Sequence, residues 1–222
     1  MKKIKLLSTL MLVVMALPMM LSCSKDDEGD GDSNITVLVN DDGTTSNGSI
    51  FSSINDNNFY LDHVKYTISE GHLIVTGFDK AGCKGKVNIV ARVVYKGNSY
   101  DVLTIGDMAF MSCTDMTSVT IPNSVTEIAY EAFYDCIGLT SVTIPNSVVY
   151  IGDCAFYGCN NLMKIHCKNP EAPFPSSYSS SYNWLVFSLS TYNDGTLYVP
   201  RGSLDRYKHA TGWRSFVHIA EE

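Results

Sequence analysis

The sequence predicts a mainly β protein with short helical turns, wound as a solenoid of coils of about 23 residues. Three observations predict it. Residues 116–138 (MTSVTIPNSVTEIAYEAFYDCIG) and 139–161 (LTSVTIPNSVVYIGDCAFYGCNN) match at 14 of 23 positions, and a fixed period in that range marks stacked repeats. The same period carries an apolar skeleton outward: Ile105, Ile128 and Ile151; Phe110, Phe133 and Phe156, each after an alanine; Cys113, Cys136 and Cys159; Met116, Leu139 and Leu162. Within a unit, Val119-Thr120-Ile121 alternates in and out as a short strand does, and Pro122, which has no donor for a ladder, ends it.

The elements follow in order. Residues 51–104 read as N-terminal capping strands and a first coil. Strand-like runs at 64–68 and 73–75 flank Glu70-Gly71, and Val87-Asn88-Ile89 matches Val119-Thr120-Ile121 from 32 residues upstream. The surplus over one period falls in residues 93–102, a hairpin expected to turn at Gly97-Asn98. Residues 105–167 form the core repeats, in which 131–136 suits one helical or 3₁₀ turn. One unit buries Leu139, Val142, Ile144, Val148, Ile151 and Phe156. That burial is too little to offset the ordering of a whole unit, so neighbours must cover both its faces and the ends need caps. Residues 168–222 hold an irregular last coil and a cap. There Leu197-Tyr198-Val199 repeats Ile165-His166-Cys167, residues 203–210 form a short helix with Ser203 as N-cap and Gly212 just past its end, and Trp213, Phe216 and Ile219 cover the final coil.

The first 22 residues read as a targeting segment: Lys2, Lys3 and Lys5 precede an apolar run from Leu6 to Leu21. Met20-Leu21-Ser22-Cys23 resembles a bacterial lipobox, which makes Cys23 the expected lipidation site and the anchor to the outer membrane. Residues 23–50 read as an acidic flexible linker. Its start, Ser24-Lys25-Asp26-Asp27-Glu28-Gly29-Asp30, resembles the acidic signal that sends lipoproteins of the Bacteroides group to the outer face of that membrane. It lacks the spaced ligands of a calcium loop. The formal charge is −7, and removing the signal with its three lysines leaves 16 − 3 = 13 basic against 23 acidic side chains, or −10. That balance argues against a nucleic-acid partner.

Six of the seven cysteines follow Cys23. The column Cys113, Cys136 and Cys159 sits at an inward repeat position, where small apolar thiols pack naturally. Coils about 4.8 Å apart also fall inside the disulfide window, so a bridge within the set stays open. No metal-binding Cys-x-x-Cys pair, His-Glu-x-x-His, Gly-x-Ser-x-Gly, phosphate loop or dinucleotide fingerprint occurs, so neither a cofactor nor an enzyme is expected. His166 and Cys167 are neighbours in a strand and point to opposite sides, which excludes them as a catalytic pair.

Alternation instead aligns Asn88, Thr120, Thr143, His166 and Tyr198 on one outward line, with Lys86, Ser118, Ser141, Lys164 and Thr196 beside it. This line is the candidate binding face; the alternative is a solvated ladder without a ligand. Tyr134 and Tyr157, with Tyr130 and Tyr150 nearby, form a second aromatic surface on the turn side. Residues 176–192 mix Tyr, Ser, Asn and Trp as adaptable loops do, although Trp184, Leu185, Val186 and Phe187 also suit the core of an irregular coil.

The pattern Leu139-Thr140-Ser141-Val142-Thr143-Ile144-Pro145-Asn146-Ser147-Val148, then Ile151-Gly152, Ala155-Phe156 and Cys159, resembles the BspA-like, or treponemal-type, leucine-rich repeat. The tail Leu197-Tyr198-Val199-Pro200-Arg201-Gly202-Ser203-Leu204, with Tyr207, Gly212-Trp213 and Phe216, resembles the ending common in that family. The resemblance spans roughly residues 60–222. It implies a leucine-rich-repeat solenoid on a cell-surface protein; some members of the family adhere to host matrix proteins such as fibronectin and fibrinogen. The function expected is therefore that of a surface lipoprotein binding a host extracellular protein or mucin. The alternative is a non-adhesive accessory lipoprotein associated with glycans.

Overall fold

The computed structural model describes residues 35–40, 42–79, 83–175 and 185–222. The signal segment, Cys23, the acidic run 24–30 and residues 176–184 with Trp184 lie outside the described residues.

The strands of the first half are β1 (Thr36–Leu38), β2 (Phe51–Asn55), β3 (Asn58–Leu61), β4 (Val64–Ser69), β5 (His72–Phe78), β6 (Lys84–Asn88), β7 (Arg92–Tyr95) and β8 (Asn98–Ile105). There follow β9 (Asp115–Thr120), β10 (Glu127–Ile128), β11 (Ser141–Ile144), β12 (Tyr150–Ile151), β13 (Lys164–Cys167) and β14 (Phe174–Pro175). The chain then runs through α1 (Leu189–Asp194), β15 (Thr196–Val199), α2 (Leu204–His209) and β16 (His218–Glu221).

An antiparallel meander, β2-β3-β4-β5, opens the fold and passes into the parallel ladder β5-β8-β10-β12-β14. Its residues sit one period apart, with Ile105 opposite Ile128 and Ile128 opposite Ile151. A second parallel ladder runs β11-β13-β15-β16, and β6 pairs with β9, which lies in contact with β11. Both kinds of spacing read from the sequence recur as register: Val142 faces Ile165 at 23 residues, and Val87 faces Val119 at 32.

Two local expectations shift. The β7–β8 hairpin turns at Lys96-Gly97, one residue earlier than Gly97-Asn98, because both turn residues take positive φ (49° and 74°) and Asn98 already pairs with Tyr95. The expected linker 23–50 also contributes to the sheet. Ile35-Thr36-Val37-Leu38-Val39 alternates, β1 pairs in parallel with β7, and Val37 and Val39 enter the core.

The segment 131–136 is not a helix. Its Tyr134 and Cys136 N–H groups donate to carbonyls three residues back, as in a 3₁₀ turn, but Glu131 and Asp135 adopt left-handed φ of 52° and 56°. These kinks aim alternate N–H groups at the next unit. Glu131, Phe133 and Asp135 donate to the Asp153, Ala155 and Tyr157 carbonyls at 3.0, 2.8 and 2.9 Å, just as Met108, Phe110 and Ser112 donate to Tyr130, Ala132 and Tyr134. The turns are thereby stitched unit to unit as the strands are.

Inside, the phenylalanine column stacks with centroids 5.2 Å (Phe110–Phe133) and 5.1 Å (Phe133–Phe156) apart. The column extends to Phe78 at one end and Phe187 at the other. The cysteine column divides. The Cys136 and Cys159 thiols are buried and donate to the Phe110 and Phe133 carbonyls at 3.1 and 3.0 Å. Cys113 instead forms a disulfide with Cys83, which stands outside the column. The register brings the pair within reach: Lys84 lies opposite Asp115, with Cys83 one residue before the first and Cys113 two residues before the second. At the C-terminal end, Trp213 and Phe216 are buried and Ile219 packs on the core. Ser203 holds the N-cap position of α2 without a capping bond; the Glu221 carboxylate accepts the Gly202 and Leu204 N–H groups instead.

Candidate binding face

The outward line is assembled strand by strand. On β11, β13 and β15 the second and fourth residues are buried, and Ser141, Thr143, Lys164, His166, Thr196 and Tyr198 are the outward ones. Thr143 stands opposite His166, and His166 opposite Tyr198. On the neighbouring pair, Asn88 stands opposite Thr120, whose hydroxyl donates to the Asn88 carbonyl oxygen at 3.0 Å. The structure therefore brings the line together as two registered stretches, Asn88–Thr120 and Thr143–His166–Tyr198.

Sequence reading missed what closes the far end of the line. The Glu222 carboxylate reaches His166 Nδ1 at 2.8 Å and accepts from Lys168 Nζ at 2.7 Å. Burial pushes the Glu222 carboxyl up, but its bonds to Lys168 and His166 outweigh that and hold it below the usual carboxylate range. No motif could reveal this clasp, because Glu222 lies 56 residues from His166. The His166 ring also stacks on Tyr198, with centroids 4.6 Å apart and planes 8° from parallel. Cys167 points inward, where it is buried, accepts from the Tyr207 hydroxyl at 3.0 Å and has its thiol pushed up to about 11 by burial.

The turn side carries the second aromatic surface. Tyr134 and Tyr157 stack at 5.9 Å, and Tyr130 lies beside them with its hydroxyl pushed up to about 12, chiefly by its bond to Glu131. Tyr150 does not join them; it sits on β12 between Glu127 and Phe174. Of residues 185–192, Val186, Phe187 and Tyr192 fill the core. Among the described residues no group of three His, Cys, Asp or Glu side chains converges as metal ligands do, and no helix is long and apolar enough to cross a membrane.

Residues 99–189 match the model of the BspA type leucine rich repeat region, in six copies. The chain carries a leucine-rich-repeat region of the BspA type. The matched BspA-type region runs from the start of β8 to the start of α1, so most of the candidate line lies within it. No curated protein matches this chain. Among solved structures it is similar to a leucine-rich repeat protein from Bacteroides capillosus, at 24% identity over 65% of this chain and 99% of that one, with a TM-score of 0.50. It is also similar to a leucine-rich repeat protein from Bacteroides ovatus (25% identity, 73% of this chain, TM-score 0.48) and a leucine rich cell surface protein from Faecalibacterium prausnitzii (23%, 67%, 0.45). It spans 40% and 46% of the length of those two.

Proposed function

We propose that this chain is a surface lipoprotein, anchored to the outer membrane through Cys23, whose leucine-rich-repeat solenoid binds a host extracellular protein or mucin. The binding surface is the line Asn88, Thr120, Thr143, His166 and Tyr198. One observation carries the reading: these outward side chains stand in register across parallel strands, the flat arrayed surface on which stacked-repeat proteins engage partners. The solenoid reading is supported by the 23-residue steps Ile105–Ile128, Ile128–Ile151 and Val142–Ile165 in the parallel ladders and by turn bonds that link successive units. The meander β2–β5 and the α2–β16 segment then serve as its two caps. The role is binding rather than catalysis, and it calls for no cofactor.

The test is binding of the purified full-length chain, held in detergent, to immobilised fibronectin, fibrinogen and mucin. Saturable binding to one of them, lost in the Thr120→Glu/Thr143→Glu variant, is expected. Binding unchanged in that variant removes the line from the proposal. The stacked Tyr134–Tyr157 pair favours a second reading, an accessory glycan-associated lipoprotein. In that case Tyr134→Ala/Tyr157→Ala abolishes glycan binding and the threonine variant has no effect.

A further inference from the structure

The outward side of β6, β9, β11, β13, β15 and β16 is charged in the sense opposite to the chain as a whole. Lys84, Lys86, Lys164 and Lys168 stand on β6 and β13 or just beyond, against Asp115 and Glu222, so the face sums to 4 − 2 = +2 where the chain carries −7. Lys168 is engaged by Glu222, and Lys84 lies opposite Asp115. Lys86 and Lys164 differ. Both are exposed; Lys86 faces Ser118, and Lys164 lies between Ser141 and Thr196, so neither has an acidic neighbour in its row. Three strand steps separate them, about 14 Å at the usual spacing.

What lies between is hydroxyl and amide: Ser118, Ser141, Asn88, Thr120 and Thr143. Among the described residues the exposed large hydrophobics, such as Phe174, Leu189 and Tyr157, stand elsewhere. A protein partner would draw most of its affinity from such anchors. The ring that does stand here is Tyr198. One of its faces is covered by His166, and the next residue in its row is Ala220, which is too small to cover the other. Cationic contacts at a wide spacing, a hydroxyl-rich floor and an open aromatic face are complementary to a chain of sugars bearing negative charges.

We infer that this face binds an anionic polysaccharide carrying sulfate or carboxylate groups, with Lys86 and Lys164 as its cationic contacts and Tyr198 as the platform for a sugar ring. The inference rests on the strand line being the binding face and narrows its ligand to the acidic glycan chains of matrix or mucin.

Heparin is the probe, with neutral dextran and polyglutamate as comparators, applied to the full-length chain and to Lys86→Glu/Lys164→Glu and Tyr198→Ala. All three substituted positions are outward, and the core is untouched. Saturable heparin binding is expected, with none to dextran, weakened about tenfold by the double reversal and progressively by salt. Tyr198→Ala weakens heparin binding without changing its salt dependence. Absence of heparin binding, or binding that survives the double reversal, overturns the inference. So does polyglutamate binding as tight as heparin binding and indifferent to Tyr198, which would make the ligand an acidic peptide. If heparin fails while fibronectin, fibrinogen or mucin still binds through Thr120 and Thr143, the ligand class is wrong and the face stands. If neither binds, the face itself falls.

Discussion

Truncation of Phe133 to alanine should be among the most damaging single changes in the core. Its ring is fully buried, midway along the stack, with Phe110 at 5.2 Å and Phe156 at 5.1 Å and both planes within 7° of parallel. Emptying a buried phenylalanine site costs about 3–5 kcal/mol. The upper half of that range is expected here, because two ring pairs are lost, each contributing about 0.5–1.5 kcal/mol beyond its buried area. Against a total stability of about 5–15 kcal/mol, that is roughly a quarter or more. Phe78→Ala is the internal comparison: Phe78 is only partly buried and has one stacked neighbour, at 6.2 Å, so roughly half the loss is expected. Urea unfolding followed by far-UV circular dichroism and by tryptophan fluorescence, to which buried Trp213 contributes, measures both, with the slope unchanged between variants. A loss below about 1 kcal/mol for Phe133→Ala, or an equal loss for Phe78→Ala, refutes the view that the stack is a continuous row in which the middle carries most.

Four further outcomes follow from named contacts. A Cβ on Gly152 would lie 2.5 Å from the Ala129 carbonyl carbon and the Tyr130 nitrogen, so Gly152→Ala should destabilise by about 1–3 kcal/mol in the same urea assay. The Cys83–Cys113 bridge closes a loop with a sequence separation of 30, so Cys83→Ser/Cys113→Ser should cost roughly 3–4 kcal/mol. Iodoacetamide at pH 8 should leave Cys136, Cys154, Cys159 and Cys167 unlabelled until urea unfolds the chain, as peptide mapping can show. Glu222, whose folded pKa is lowered from 4.5, adds stability above its unfolded pKa and loses it as pH falls through the folded one. Unfolding midpoints at pH 7 and pH 3 should therefore differ less in Glu222→Gln than in the parent chain.

How much was legible follows from how far each contact lies from the repeat. Ile105, Ile128 and Ile151 could be placed opposite one another before any coordinates, because one spacing fixes both sequence match and register. The flanking strands, displaced by 32 residues, were legible only where Val87-Asn88 and Leu197-Tyr198 kept the apolar-polar alternation. Phe78 lies 32 residues before Phe110 and Phe187 lies 31 after Phe156, so the 23-residue period alone could not add them to the phenylalanine stack. Cys83 was invisible as the partner of Cys113 for the same reason. Residues 131–136 make the 3₁₀-type bonds that the sequence suggests, but composition cannot show that Glu131 and Asp135 turn left-handed to bond the next unit. On the candidate face, alternation gave the outward residues, and the clasp of Glu222 on His166 and Lys168 depended on the path of the last strand.

The stitched turns give the molecule a direction. The unit-to-unit backbone bonds from Met108, Phe110, Ser112, Glu131, Phe133 and Asp135 all run the same way, N–H toward the following unit, until the Gly158 N–H meets the Ser188 hydroxyl at 2.7 Å in place of a repeat carbonyl. Each interior boundary therefore presents the same donors to the same acceptors. Genetic duplication of residues 116–138 would insert a segment that fits its neighbours on both sides without new chemistry, and each copy would lengthen the exposed face by about 4.8 Å. Reach across a partner could then change by whole steps, as on a notched scale, while the end pieces stay the same.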